Sequence, residues 1–330
     1  MITRTVVTLD VPSFADRAGI AAMERTAAAY DTAMAERPEM ISIECGGTSS
    51  ATVPLAFPFA VAAWNLERCL FPSESAAHLA ATGAPVVLLS EMDNGMARTQ
   101  QRHPTAELAV ALGMSYAYGV EFIELDLGSE TERAFCRDDF NEKGFHGNAL
   151  MAAVPMEEPF MIRLWGERIW FMNGGDQPRL GERFAIGAVI RTKSGPFVAV
   201  STHLESATSA AYRERQVREL IDALDANFPG LPVLIGGDLN TGLQDEGNFE
   251  AEGLFAMSAT RGFTRHGGPL DMPTLRQSLI SPAPARPLKL DWFLSRGLRI
   301  GESRITSSLD ATGRPLSDHD LITCVVDGFS

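Results

Sequence analysis

With 330 residues, 45% of them hydrophobic, the chain is long enough to bury a sizeable core, which excludes a disordered segment. Its 42 acidic residues against 28 basic ones leave a formal net charge of -14, opposite to a protein that holds nucleic acid by its general surface. The four cysteines, at 45, 69, 136 and 324, show neither paired metal spacing nor a dense disulfide framework, which fits a reducing, cytoplasmic compartment.

In chain order, the N-terminus "MITRTVVTLDVPSFADRAGI" lacks the uninterrupted apolar core of a signal peptide, and "ATVPLAFPFAVAAW" is too short and proline-broken to span a membrane. From about residue 14 to 36, alanine with interspersed charge predicts a helix, with Ser13 as N-cap. It reads as a helical cap on the core. The glycine- and serine-bearing "IECGGTSSATVP" separates it from the rest of the chain.

After residue 58, short apolar runs repeatedly end on polar groups. "FAVAAWN" stops at Asn65, "APVVLLSE" at Glu91, "PFVAVSTH" at His203 and "LPVLIGGDLN" at Asp238 and Asn240, while "LKLDWFLS" carries Asp291 inside its run. Their length, β-branching and Gly or Pro boundaries predict strands covered on both faces. "ESAAHLAAT", "TAELAVALG" and "AAYRERQVRELIDALDANF" predict helices between them, so the chain is α/β with polar groups gathered where several strands end.

In an extended backbone Asp238 and Asn240 face one space while Leu239 packs on the other side. A cleft holding a ligand or ion would relieve their burial; an Asx-type turn, in which both bond the local backbone, is the plainer reading. In "LSDHDLITC", Asp318 and His319 put a carboxylate and a titratable ring at the start of a strand, a pairing suited to proton transfer near neutral pH.

Taken together, "WNLER", "LLSEMD", "GNALM", "VSTHLES", "GGDLNT", "LDWFLS" and "LSDHD" resemble, in order, the motifs of the endonuclease/exonuclease/phosphatase superfamily. The resemblance spans roughly residues 58 to 328 and implies a division into a partly helical extension, 1–57, and a catalytic domain, 58–330. It implies a four-layer α/β sandwich of the deoxyribonuclease I type, two packed mixed sheets flanked by helices, and cleavage of phosphate esters with Mg²⁺ or Mn²⁺. It implies Glu91 as metal ligand, with Asn65 and Asp318 beside the metal and Asn65 also near phosphate. Asp238 would activate water, Asn240 would donate to phosphoryl oxygens, His319 would be oriented by Asp291 or Asp318, and His203 would bind phosphate. Asn148 falls in a cleft-lining segment, although Ala152 and Ala153 stand where members usually carry a Ser-Arg pair.

Arg98, Arg102 and His103 read as a solvated loop near the cleft rim, and His78, His146 and His266 as helix-surface or loop residues. The four tryptophans read as core and rim, since no basic-aromatic interleaving accompanies them. With only three lysines and scattered arginines, the expected substrate is a small phosphodiester, with DNA or RNA cleavage as the alternative. A catalytically silent binding module of the same fold would be expected to have lost Glu91, Asp238 or His319, and all three are present.

Overall fold

Each apolar run feeds two cores at once. In the strand Phe59–Arg68, Val61 and Ala63 enter one buried cluster while Ala62 and Trp64 enter another, because successive strand residues point to opposite faces. Val86 and Leu88 likewise part from Val87 and Leu89, and Phe197 and Ala199 from Val198 and Val200. Covering both faces removes the polar alternation that a half-exposed strand would show.

The computed structural model describes residues 1–51, 53–173, 178–281 and 286–330. Its strands are β1 (Thr5–Val6), β2 (Ile43–Gly47), β3 (Phe59–Arg68), β4 (Val86–Asn94), β5 (Ser115–Glu124), β6 (Phe145–Ala152), β7 (Met156–Arg163), β8 (Arg179–Gly181), β9 (Phe184–Thr192), β10 (Gly195–His203), β11 (Val233–Asp238), β12 (Thr264–His266), β13 (Asp291–Arg296), β14 (Leu298–Thr306) and β15 (Leu321–Phe329). One sheet runs β1-β2-β5-β6-β4-β3-β15-β14 with β8 beside β5; the other runs β12-β13-β11-β10-β9-β7. Both are mixed: β3 and β4 pair in parallel, as do β10 and β11, among antiparallel neighbours.

The sheets face each other across a core in which Val61, Leu88 and Leu150 of the first meet Ala199, Leu234 and Phe293 of the second. Helices α1 (Phe14–Ala22), α2 (Ala27–Ala35), α3 (Pro72–Ala80) and α4 (Pro104–Leu112) cover the first sheet through Ile20, Tyr30, Leu79 and Leu108. After two short helices, α5 (Glu130–Arg133) and α6 (Ile169–Asn173), α7 (Ala210–Asn227) and α8 (Gly253–Thr260) cover the second through Val217, Leu220, Ile221, Leu254 and Met257. These four layers are the α/β sandwich expected from the motifs.

The helix expected over 14–36 is two. Ser13 caps α1 with a full capping box to Asp16, and the chain breaks at Met23 before Thr26 caps α2. Residues 1–57 are also more than a helical cap, because β2 pairs with β5 and Leu55 bridges to Thr192 of the other sheet. Arg17 of α1 donates to the carbonyls of Asn141, Glu142 and Lys143 at 2.8–3.0 Å. No described helix is long and apolar enough to cross a membrane, and all four cysteines are free thiols.

Candidate active site

The polar end groups continue the face between the sheets. On β10, β11 and β13, His203, Asp238 and Asp291 follow the alternation of Ala199, Leu234 and Phe293, so they emerge where the inter-sheet core stops. They are also direct register partners, His203 opposite Asp238 and Asp238 opposite Asp291. The glycines of "GGD" permit this packing. A Cβ on Gly236 would sit 2.6 Å from Phe293 and 2.7 Å from Leu88, and one on Gly237, at φ +140, would sit 2.0 Å from the Thr202 carbonyl oxygen.

Asn65 closes the row from the opposite sheet. Its Nδ2 donates to Asp238 Oδ2 at 3.1 Å and to Glu91 Oε1 at 3.2 Å, while its Oδ1 accepts from the Glu67 N–H. His319 completes it: Nδ1 lies 2.8 Å from Asp291 Oδ2 and Nε2 lies 3.6 Å from Asp238 Oδ2. Ser317 holds the loop, donating to the Asn65 carbonyl at 2.5 Å and accepting from the His319 N–H at 3.0 Å. Of the two carboxylates expected to orient His319, Asp291 is the one within hydrogen-bond distance; Asp318 stands 3.9 Å from Nε2.

Asp238 and Asn240 do not share an extended backbone. The strand ends at Asp238, Asn240 turns left-handed at φ +52, and its N–H donates to Asp238 Oδ1 at 2.8 Å, an Asx turn. Its Nδ2 donates to the Leu204 carbonyl at 2.9 Å. The turn is the one the sequence offered as the plainer reading, and Asn240 braces the end of β10 against the Asp238 loop. Asn148 is fully buried on β6, its Nδ2 3.4 Å from the Phe184 carbonyl, and among the described residues no hydrogen bond links it to the other site side chains.

Three residues to which the sequence assigns no role join the site. Arg68 contacts Glu91 through Nη1 and lies 3.2 Å from Glu132 through Nε. Glu67 contacts the Ser278 hydroxyl, and Arg183 places Nη1 2.9 Å from His203 Nδ1 while pairing with Glu121 at 3.2 Å. Glu67 and Arg68 stand inside "WNLER", but positive φ at Glu67, Arg68 and Cys69 breaks the alternation from which their direction could be read. Arg183 has no local signal. Glu67, Arg68, Glu91, Ser129, Glu132 and Asp318 line an open cleft of about 310 Å³. Ile280 and Ser281 also line it, while residues 282–285 of the proline-rich "SLISPAPARPLKL" lie outside the described residues.

Arg98 is buried at 2% exposure, not solvated, and its guanidinium reaches Asp93, Glu124 and Glu132. His146 is buried too, 3.0 Å from Asp93 on β6 rather than on a loop, and His103 bonds Glu44 at 2.7 Å. Arg102 pairs with Glu107 on the half-exposed start of α4. Trp64 and Trp292 are core, each fully buried.

Burial and neighbouring charge pull these groups apart. Burial opposes ionisation of Glu91, but Arg68 and then the site histidines outweigh it and hold its carboxyl well below the usual range. Burial lifts Glu67 to about 8, helped by Asp318; it lifts Asp238 to about 7, with Asp291 adding and His319 opposing; and it lifts Asp318 to about 6. Burial disfavours the His319 cation, yet Asp291, Asp238 and Asp318 together raise it well above its ordinary value. His203 is held well below its ordinary value by burial and then by Arg183, which favours the neutral imidazole.

Two oxygen-rich groups could hold a cation. Asp238, Asp291 and His319 can each offer an atom within 4.8 Å of the others, but the ring already bonds Asp291. Glu91, Asp318 and Glu67 crowd three acid groups at the cleft wall, where burial first and then their mutual repulsion raise Glu67 and Asp318 while Arg68 holds Glu91 ionised, and hard carboxylate oxygens suit Mg²⁺ or Mn²⁺.

A two-sheet α/β sandwich with acids and histidines converging at one end of the inter-sheet face defines a deoxyribonuclease I-like fold. The model of the Endonuclease/Exonuclease/phosphatase family matches residues 62–319, and the chain belongs to that family, whose members are hydrolases acting on phosphoester bonds. Among solved structures, it is similar to an endonuclease/exonuclease/phosphatase from Beutenbergia cavernae, at 20% identity and TM-score 0.60 over 83% of this chain and 72% of that one. It is similar to the human Nocturnin catalytic domain with bound sulfate, at 16% identity and TM-score 0.56 over 87% and 97%. It is likewise similar to humanized D. rerio TDP2, at 18% identity and TM-score 0.50 over 82% and 98%. At these identities the likeness concerns the fold. Comparison with curated proteins gave no match.

Proposed function

We propose that the protein is a divalent-metal-dependent phosphodiesterase acting on a small substrate. The observation that carries this reading is the continuous polar chain Glu91–Asn65–Asp238–His319–Asp291, assembled from both sheets, with Glu91 at its end on the wall of the cleft. The oxygens of Glu91 and Asp318 would hold Mg²⁺ or Mn²⁺, with Glu67 beside them and Asn65 positioning Glu91 through its Nδ2 rather than offering its own oxygen. The cation would supply Lewis acidity to the phosphoryl oxygens.

The chain's own groups do the rest. Asp238, raised toward neutrality, accepts a proton from the attacking water, and Asn65 fixes its Oδ2. His319, held as an imidazolium by Asp291, places positive charge against the phosphate as negative charge develops. Neutral His203, with Nε2 3.5 Å from Asp238 Oδ2, offers an uncharged contact on the other side of the row. Asn240 supports the turn that carries Asp238 rather than reaching phosphate directly.

The cleft wall argues for a small substrate: among the described residues lining it, the four carboxyls of Glu67, Glu91, Glu132 and Asp318 stand against one cation, Arg68. A long polyanion needs a track of available Lys or Arg. The free thiols support a reducing, cytoplasmic setting. The test is a Mg²⁺-supported hydrolysis screen of bis(p-nitrophenyl) phosphate, p-nitrophenyl phosphate, plasmid DNA, RNA, sphingomyelin and inositol phosphates. Turnover of the diester is expected; inactivity toward the whole panel under metal saturation would overturn the reading.

A further inference from the structure

Arg68 stands where two requirements conflict. Its Nη1 contacts Glu91, the carboxylate to which the proposed reading gives the metal, and the two side chains are 13% and 20% exposed at the cleft wall. A divalent cation on Glu91 and a guanidinium on the same carboxylate would repel each other at contact distance. Each therefore disfavours the other.

The other partners of Arg68 decide which part moves. Its Nε is held by Glu132 at 3.2 Å, and Glu132 is itself fixed: it accepts from Arg98 at 3.1 Å and from the Ser129 N–H at 2.9 Å in the capping box of α5. Arg98 in turn is locked to Asp93 and Glu124 in the protein interior. The rear of the Arg68 guanidinium is therefore anchored, and its front is bonded to a carboxylate on the cleft wall. The backbone is bent to present it there, with left-handed φ at three consecutive non-glycine residues and a register break between β3 and β4 from Asn65 to Arg68.

We propose that Arg68 is a movable counter-cation: it neutralises Glu91 while no metal is bound and, pivoting on Glu132, turns its guanidinium fork to the substrate phosphate once a cation takes Glu91. A planar fork suits bidentate phosphate contact. The exchange keeps the site from standing with unpaired charge in either state, and it makes Arg68 a competitor of the metal and a ligand of the substrate. This inference rests on the assignment of Glu91 to the metal.

Isothermal titration calorimetry of the whole protein with Mn²⁺ alone tests it. Removing the competitor in Arg68→Gln should tighten Mn²⁺ binding by on the order of tenfold, the scale of one lost charged hydrogen bond. Inorganic phosphate added to the Mn²⁺-loaded variant should bind more weakly than to the loaded wild type, by a similar factor. Should Arg68→Gln not fold, Arg68→Lys keeps charge and most of the volume but cannot span Glu91 and Glu132, and it should tighten Mn²⁺ binding by less. Unchanged or weaker Mn²⁺ affinity in a folded variant would overturn the proposal. Because the readout is affinity, a protein that binds Mn²⁺ but hydrolyses nothing would sink the proposed activity and leave this exchange standing. A wild type that binds no Mn²⁺ would sink both.

Discussion

Nδ1 of His319 lies 2.8 Å from Oδ2 of Asp291, two residues 28 apart in sequence, and Oδ1 of the same carboxylate is buried without a hydrogen-bond partner. The carboxylate thus spends one oxygen on the ring and leaves the other in a dry environment, and its proximity helps raise His319 well above its ordinary value. In the metal-free protein the NMR titration of His319 should fall above its ordinary ~6.5. Asp291→Asn should lower it more than Asp318→Asn, whose carboxylate is farther from the ring. With metal and substrate, Asp291→Asn should cut kcat by about 10²-fold or more, as for loss of an oriented acid–base group. Equal shifts in the two variants would assign the pairing wrongly.

The stability of the metal-free protein should fall as pH rises from 6.5 to 8. Glu67 at about 8 and Asp238 at about 7 are raised in the folded chain, as is His319, so folding binds protons that the unfolded chain releases. Their contribution is fully present below the unfolded carboxylate values near ~4 and is lost as pH rises through 7 and 8. His203, held well below its ordinary value, works in the opposite sense only below about 6.5, outside this window. Thermal melts should show Tm lower at pH 8 than at pH 6.5, and Mg²⁺ should raise Tm more at pH 8. A Tm that climbs with pH would contradict the carboxyl crowding.

Glu91→Gln and Asp238→Asn should fail differently. Losing the charge of Glu91 removes a metal ligand, so activity should recover in part at raised Mg²⁺, whereas EDTA should abolish wild-type turnover. Asp238→Asn keeps shape and the Asx turn but loses the proton acceptor, so kcat should drop by roughly 10²- to 10⁴-fold without rescue by metal. Turnover undiminished in EDTA would refute the metal assignment.

Small diesters should outrun nucleic acid. With Arg68 the one basic side chain among the described residues lining the cleft, few cations meet a polyanion even when the metal is bound, so any DNA cleavage should show a shallow salt dependence, each phosphate contact adding about 0.9 to the log–log slope for duplex DNA. Fast plasmid cleavage with a steep slope, and none of the small diester, would reverse the ranking.

Period-2 alternation and strand boundaries are local properties, and they made the α/β layering and the polar strand ends legible: Val61 and Ala63 part from Ala62 and Trp64 as the run "FAVAAWN" implies. The ordered motifs pointed to Glu91, Asn65, Asp238 and His319, and the structure brings Asn65 into contact with both Glu91 and Asp238. Lateral register is not local. That His203, Asp238 and Asp291 stand abreast depends on three strands drawn from residues 195 to 296. Only the folded chain could choose Asp291 over Asp318 for the ring, bring Arg183 to His203, or turn Arg68 onto Glu91. Those pairings are made by long-range packing and by left-handed backbone at Glu67, Arg68 and Asn240, where alternation no longer says which way a side chain points.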